Sequence, residues 1–382
     1  MDVGDDQGGD AANPIAGREQ GILTIEPGVT VFGAAGLDYM VVNRGSQLFA
    51  EGTATQPIVF TSRQSVEGTT TVDSIGQWGG LVLLGRAPIS NCPGTAEPGT
   101  ATCEAQVEGT NAFYGGNQAG DNTGRIRYFR MQHSGFQILP NNELNGITLA
   151  GVGDGTVFEY VQVHNSSDDG FEWFGGTVNG KYLVATGNDD DSFDTDVGFD
   201  GAIQYGIVMQ RDNGGDRMNE MSGSTRTPAS NPKIANLTYI GRAGGGAGIV
   251  MNSGTDSEFY NTVVTRPAGA SGASASCLDV DDDTTTGAFN SVFFSCPQPF
   301  DDDANGAAEA LFTAGTNNTA DGTSSLTETF INGANESAVP AFDNLPSIDP
   351  YFQQVDYIGG VRDANDTWWQ GWTCGLTAAN PC

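Results

Sequence analysis

Along the chain, short runs of β-branched and aromatic residues end in Gly, Asn or Asp, the pattern of brief strands joined by turns. No run of twelve residues keeps a clean helical apolar period. Two segments align without a gap at a shift of 22 residues: FEYVQVHNSSDDGFEWFGG (158–176) over GKYLVATGNDDDSFDTDVG (180–198). Tyr160 then falls on Tyr182, Val161 on Leu183, Asp168 on Asp190, Asp169 on Asp191, Phe171 on Phe193 and Glu172 on Asp194. Downstream, NLTYIG (236–241), NTVVTR (261–266) and NSVFFS (290–295) repeat an Asn-led strand at spacings of 25 and 29. A second stripe recurs as GITLAG (146–151), GFEWFG (170–175), SFDTDVG (192–198), GIVMNSG (248–254) and CLDVDDD (277–283).

Short β stripes returning every 22 to 30 residues predict an all-β solenoid, in which neighbouring coils pair through their backbones. A β-sandwich would not keep a 22-residue register with the same turn chemistry. The predicted organisation is a flexible acidic tether over residues 1–20, a solenoid with loop insertions over 21–340, and a C-terminal cap over 341–382. The largest central insertion is predicted at RDNGGDRMNEMSGSTRTPASNP (211–232).

Charge narrows the partners. A formal net charge of −32 repels nucleic acid and anionic membranes and favours cations or cationic partners. The six cysteines fall in three sequence-neighbour pairs, Cys92 with Cys103, Cys277 with Cys296 and Cys374 with Cys382, which predicts disulfides and an exported protein. No apolar run reaches transmembrane length, and no signal peptide is seen.

LTIEPGVTVFG (23–33), GSQLFAEGTATQPIVFTS (45–62) and WGGLVLLGRAPI (78–89) resemble the first coils of exported bacterial right-handed parallel β-helix proteins. The core NGITLAGVGDGTVFEYVQVHNSSDDGFEWFGGTVNGKYLVA and the ending VDYIGGVRDANDTWWQGWT are similar to one group of surface lipoproteins and secreted proteins of that kind. The resemblance spans roughly residues 20–375 and implies a pectate-lyase-like right-handed parallel β-helix. That superfamily holds lyases, glycoside hydrolases, adhesins and tailspikes, so the fold alone does not give a function.

Stacked coils lie about 4.8 Å apart. The 22-residue register therefore piles Asp168, Asp169 and Glu172 onto Asp190, Asp191 and Asp194, with Asp194 and Asp196 facing outward beside inward Phe193 and Thr195. Two bare carboxylates at that separation repel by roughly 3–4 kcal/mol at an effective dielectric near 20. A cation relieves this, and a set of hard oxygen ligands suits Ca²⁺. The predicted metal residues are Asp168, Asp169, Glu172, Asp189, Asp190, Asp191, Asp194 and Asp196. Asp279, Asp281, Asp282 and Asp283 offer a second site on a later coil, while Asp301–Asp303 read as solvated loop. The opposing reading is that these aspartates only cap turns.

No catalytic motif emerges. Arg217 and Arg242 are conceivable bases for a lyase, and are also ordinary ion-pair arginines. His133 and His164 end neighbouring strands, one position out of register, and read as structural. Gly153–Gly155 lacks the lysine and following helix of a phosphate loop. Trp173 is expected inside, whereas Trp368, Trp369 and Trp372 suit an aromatic cap or a sugar-stacking surface. The expected function is a non-catalytic, Ca²⁺-binding surface or secreted β-helix for adhesion, matrix or glycan binding. A polysaccharide lyase or glycoside hydrolase, and a fibre-forming structural protein, are the alternatives.

Overall fold

The computed structural model describes residues 1–382 except 7, 10–18, 140–141, 225 and 302–305. Among the described residues, two parallel sheets of ten and thirteen strands run the length of the molecule, and the chain visits them in turn. The ten-stranded sheet is strictly sequential: Asp2–Val3, Tyr39–Val42, Gly80–Leu84, Ile147–Ala150, Phe171–Phe174, Phe193–Asp196, Asn219–Ser222, Ile249–Asn252, Ser276–Val280 and Gln298–Asp301. In the second sheet the strands Gly124–Gln132, Val157–His164, Gly180–Thr186, Ala202–Met209 and Lys233–Ile240 stack one on the next. This is the parallel β-helix that the repeats predict.

The 22-residue register holds residue by residue, with Phe171 opposite Phe193, Glu172 opposite Asp194 and Val161 opposite Leu183. From Gly124 onward the coils of the second sheet bend at residues of positive φ, and these residues form a column: Tyr128, Tyr160, Tyr182, Tyr205, Asn236, Asn261 and Ser291. Their side chains stack because the coils do. Ring centroids lie 4.4, 4.3 and 4.8 Å apart from Tyr128 through Tyr160 and Tyr182 to Tyr205.

Two details of the repeat differ from the sequence reading. Tyr260 pairs with Asn290, so Asn261 lies over Ser291 and the second Asn-led spacing is one residue longer than the sequence alignment. The segment 211–232 is not simply an inserted loop, because it supplies Asn219–Ser222 to the ten-stranded sheet. Asn219 takes the inward position that Phe193 holds one coil earlier, and its Nδ2 donates to the Tyr239 hydroxyl inside the core (2.7 Å). A polar residue in an apolar row hid that strand from pattern reading.

Several segments cover the coil stack. Residues 85–116, tied by the Cys92–Cys103 disulfide, pack on Val41, Val82, Leu84 and Ala150, outer residues of the early ten-stranded-sheet coils. The helix Ala307–Ala314 closes the last coils through Phe312, which meets Phe289, Phe294 and Phe300. The C-terminal segment, clasped by Cys374–Cys382, covers the outer flank of the second sheet. It runs back along the axis, from Phe342 on Asn261, through Gln353 on Gln204, to Trp372 on Tyr128 and Tyr160. The third predicted disulfide, Cys277–Cys296, is also formed.

Where the sequence predicts a flexible tether, the described part is docked. Asp2–Val3 pair with Val41–Val42, and Asp6 is ion-paired with the buried Arg44. Residues 7 and 10–18 of that stretch lie outside the described residues.

Trp372 is fully buried, donates its Nε1 to the Trp368 carbonyl, and its own carbonyl accepts both Nε and Nη2 of Arg130. Trp372→Ala is expected to destabilise the fold by about 3–5 kcal/mol, measured as a lower urea midpoint. An unchanged midpoint would mean that the C-terminal segment adds nothing to stability.

Candidate metal centre

Strand alternation sends Phe171, Trp173, Phe193 and Thr195 into the core and leaves Glu172, Asp194 and Asp196 outside. One outward column reads Val41, Val82, Thr148, Glu172, Asp194, Glu220, Val250, Asp279, Asp301. It begins apolar, under the 85–116 segment, and turns acidic from the buried Glu172 onward.

A second column runs through the turns that precede these strands: Asn145, Asp169, Asp191, Arg217. Here each aspartate uses one oxygen to tie its own coil to the next. Asp169 Oδ1 accepts from the Asp191 amide (2.9 Å), and Asp191 Oδ1 accepts from the Arg217 amide (2.6 Å). The coils meet so closely that a Cβ on Gly170 would lie 2.6 Å from the Ser192 carbonyl oxygen. Turn capping and ligand binding are therefore not exclusive, because a carboxylate has a second oxygen.

The result is seven carboxylates in three overlapping groups: Asp168–Asp169–Asp190, Asp169–Glu172–Asp194 and Asp190–Asp191–Asp216. Within each group the nearest oxygens all lie within 4.8 Å of one another. Oxygens bound to one Ca²⁺ at 2.3–2.6 Å can be at most about 5 Å apart, so the spacing suits that ion. Glu220 adds an eighth carboxylate through the Arg217 guanidinium. Asn145 supplies a neutral oxygen donor. Its buried amide donates through Nδ2 to Glu172 and Thr148, while its Oδ1 is buried without a partner. Asp194 Oδ1 is also buried without a partner.

Residues 12–373 match the family model described as the pectate-lyase-like β-helix domain. The chain belongs to that family. No curated protein and no solved structure matches it. Among the described residues of this β-helix, no helix is long and apolar enough to cross a membrane.

The other predicted site residues fall outside the three groups. Asp196 lies in the next outward position along the same strand as Asp194. Asp189 points to Arg211, with which it is ion-paired. No grouping of this kind forms around Asp279, Asp281, Asp282 and Asp283 among the described residues. Asp282 instead accepts from the amides of Ser253, Thr284 and Thr285 and from both threonine hydroxyls. Burial alone would raise its pKa, but those hydrogen bonds hold it down at about 2. That aspartate is turn chemistry. Asp301 pairs with Asp279 in the ten-stranded sheet, and Asp302 and Asp303 lie outside the described residues.

Sequence reading missed Asp216, Glu220 and Asn145. A shift of 26 residues places Asp190 on Asp216 and Asp194 on Glu220. Reading 211–232 as a loop concealed that match.

The conceivable catalytic groups are engaged elsewhere. Arg217 Nη1 contacts Asp216 (2.9 Å), Glu220 (3.1 Å) and Asp191 (3.7 Å). Burial alone would lower its pKa, but the Asp191, Glu220 and Asp216 carboxylates hold it above the usual guanidinium value. Arg242 Nε donates to the Gly215 carbonyl (2.8 Å). His164 is kept neutral, its pKa pushed down to about 3 by burial and then by His133, Arg130 and Arg211. His133 contacts the Ser74 carbonyl through Nδ1 (2.7 Å), and burial lowers its pKa. Trp173 is in the core, and Trp368 and Trp372 pack against the tyrosine column.

Inside the ladder, burial raises the pKa values of Asp169, Glu172, Asp191 and Asp194 well above the carboxylate range, and neighbouring carboxylates add to the shift. Burial and Asp190 push Asp168 up to about 7, and burial pushes Asp196 up to about 6. A carboxyl whose folded pKa exceeds its unfolded value contributes fully below about pH 4 and loses that contribution as pH rises through the folded value. EDTA-treated protein is therefore expected to melt at a higher temperature near pH 5 than near pH 8, most of the fall coming between about 4 and 7 for Asp168. Asp168→Asn should flatten part of that slope in differential scanning fluorimetry. A melting temperature flat across this range would show that the carboxylates are compensated without a metal.

Proposed function

We propose that this β-helix is a non-catalytic extracellular or cell-surface protein that binds calcium on its acid ladder and serves adhesion, matrix or glycan binding. The observation that carries the reading is the Asp169–Glu172–Asp194 group, of which Asp169 and Glu172 are buried and Asp194 half-buried, together with the buried, unpartnered Asp194 Oδ1 and Asn145 Oδ1. Concentrated buried negative charge on a rigid sheet costs free energy unless a cation or protons neutralise it. The residues that would hold the ion are Asp169, Glu172 and Asp194, with Asn145 as a neutral oxygen. The ion would supply charge neutralisation and coil-to-coil bridging, and an outward coordination position for a carboxylate or hydroxyl of a partner.

Three disulfides fit an oxidising, extracellular setting. The lyase reading is less well supported. It needs a guanidinium free to take a proton, and Arg217 is held by three carboxylates. Fibre formation is also less well supported, because the helix Ala307–Ala314 lies across the last coils.

Calcium at a hundred times its dissociation constant stabilises a one-site protein by about 2.7 kcal/mol, which for a chain of this length raises the melting temperature by about 3 °C. EDTA should remove that increment, and Asp194→Asn should lose most of it. A melting temperature indifferent to EDTA and to added Ca²⁺ would overturn the calcium reading.

A further inference from the structure

The turn column Asn145, Asp169, Asp191, Arg217 changes charge along the solenoid axis, from a neutral amide through two carboxylates to a guanidinium. The basic end is already neutralised from within. Arg217 Nη1 lies among Asp191, Asp216 and Glu220, two of which belong to the Asp190–Asp191–Asp216 group. At the other end, among the described residues, no lysine, arginine or histidine is ion-paired with Asp169, Glu172 or Asp194. The buried oxygens without partners, Asn145 Oδ1 and Asp194 Oδ1, belong to this second end. The two ends of one ladder therefore differ in what neutralises them.

We infer that Arg217 is a built-in counter-ion that confines a divalent cation to the Asp169–Glu172–Asp194 end, so that each chain takes one ion rather than two. The inference rests on the cation reading above. Its physical basis is that a guanidinium among three carboxylates repels a divalent ion and occupies the space that the ion would need. Backbone ties place Arg217 there, since its amide is bonded to Asp191 on the preceding coil and Met218 is bonded to Gly248 on the next. Arg217 thus acts on metal number and position, not as a ligand.

Isothermal titration of the EDTA-treated full chain with CaCl₂ tests this. Wild type should bind one ion per chain. Arg217→Gln should bind two, the added one weakened again by Asp216→Asn in the same chain. Arg217→Lys, which keeps the charge, should still bind one. In an otherwise wild-type background, Glu172→Gln should weaken binding at least about tenfold, and Glu220→Gln should leave the stoichiometry and affinity of the single ion within about twofold. This pair keeps the test open if Arg217→Gln fails to fold. No binding by wild type would overturn the calcium reading itself. A single ion in both wild type and Arg217→Gln, two ions in wild type, or a larger loss from Glu220→Gln than from Glu172→Gln would overturn the role of Arg217 and leave the calcium reading standing.

Discussion

The structure depends on one spacing. Parallel coils pair through their backbones at about 4.8 Å, so whatever occupies a position on one coil is pressed against the same position on the next. For aromatic residues this is favourable, and four tyrosines stack face to face along the flank at 4.3 to 4.8 Å between centroids. For carboxylates the same geometry is costly. Both ladders follow from one rule, with opposite energetic signs.

The backbone meets part of that cost. Asp169 and Asp191 each give one oxygen to the amide of the next coil, the bonding of an ordinary turn cap. Within each of the three groups, one oxygen per carboxylate lies within 4.8 Å of the others on the outer side of the rigid sheet. Their backbone separations are set by coil spacing and strand alternation, so the coils themselves cannot move apart to relieve the repulsion. Neutralisation must come from a proton, a guanidinium or a metal ion. Arg217 meets part of that need on one side.

Surface cover decides which part of a column is chemical. The outward column is Val41 and Val82 beneath the Cys92–Cys103 segment, and Glu172, Asp194 and Glu220 beyond it. On the other sheet Trp368 and Trp372 pack on half-buried members of the tyrosine column. The coil stack is thus nearly uniform, and the segments laid over it differ from one face to the other.

The sequence by itself determined the solenoid, the coil register through residues 158–198, the inward and outward faces of those strands, and the pairing of all three disulfides. These are properties of local alternation and short spacing, which a chain carries in its residue order. It also brought six of the eight ladder carboxylates into view, because two coils repeat without a gap. Tertiary structure decided the rest. The polar Asn219 in a core row masked the coil that carries Asp216 and Glu220, and only its pairing with Tyr239 and both neighbouring strands reveals it. The separation of Asp189 and Asp282 from the site depends on Arg211 in one case and on turn amides in the other. The course of the C-terminal segment rests on contacts between residues far apart in the chain, from 81 positions for Phe342 with Asn261 to 212 for Gln162 with Cys374. Contacts at that range leave no period in the sequence, so only the folded chain shows them.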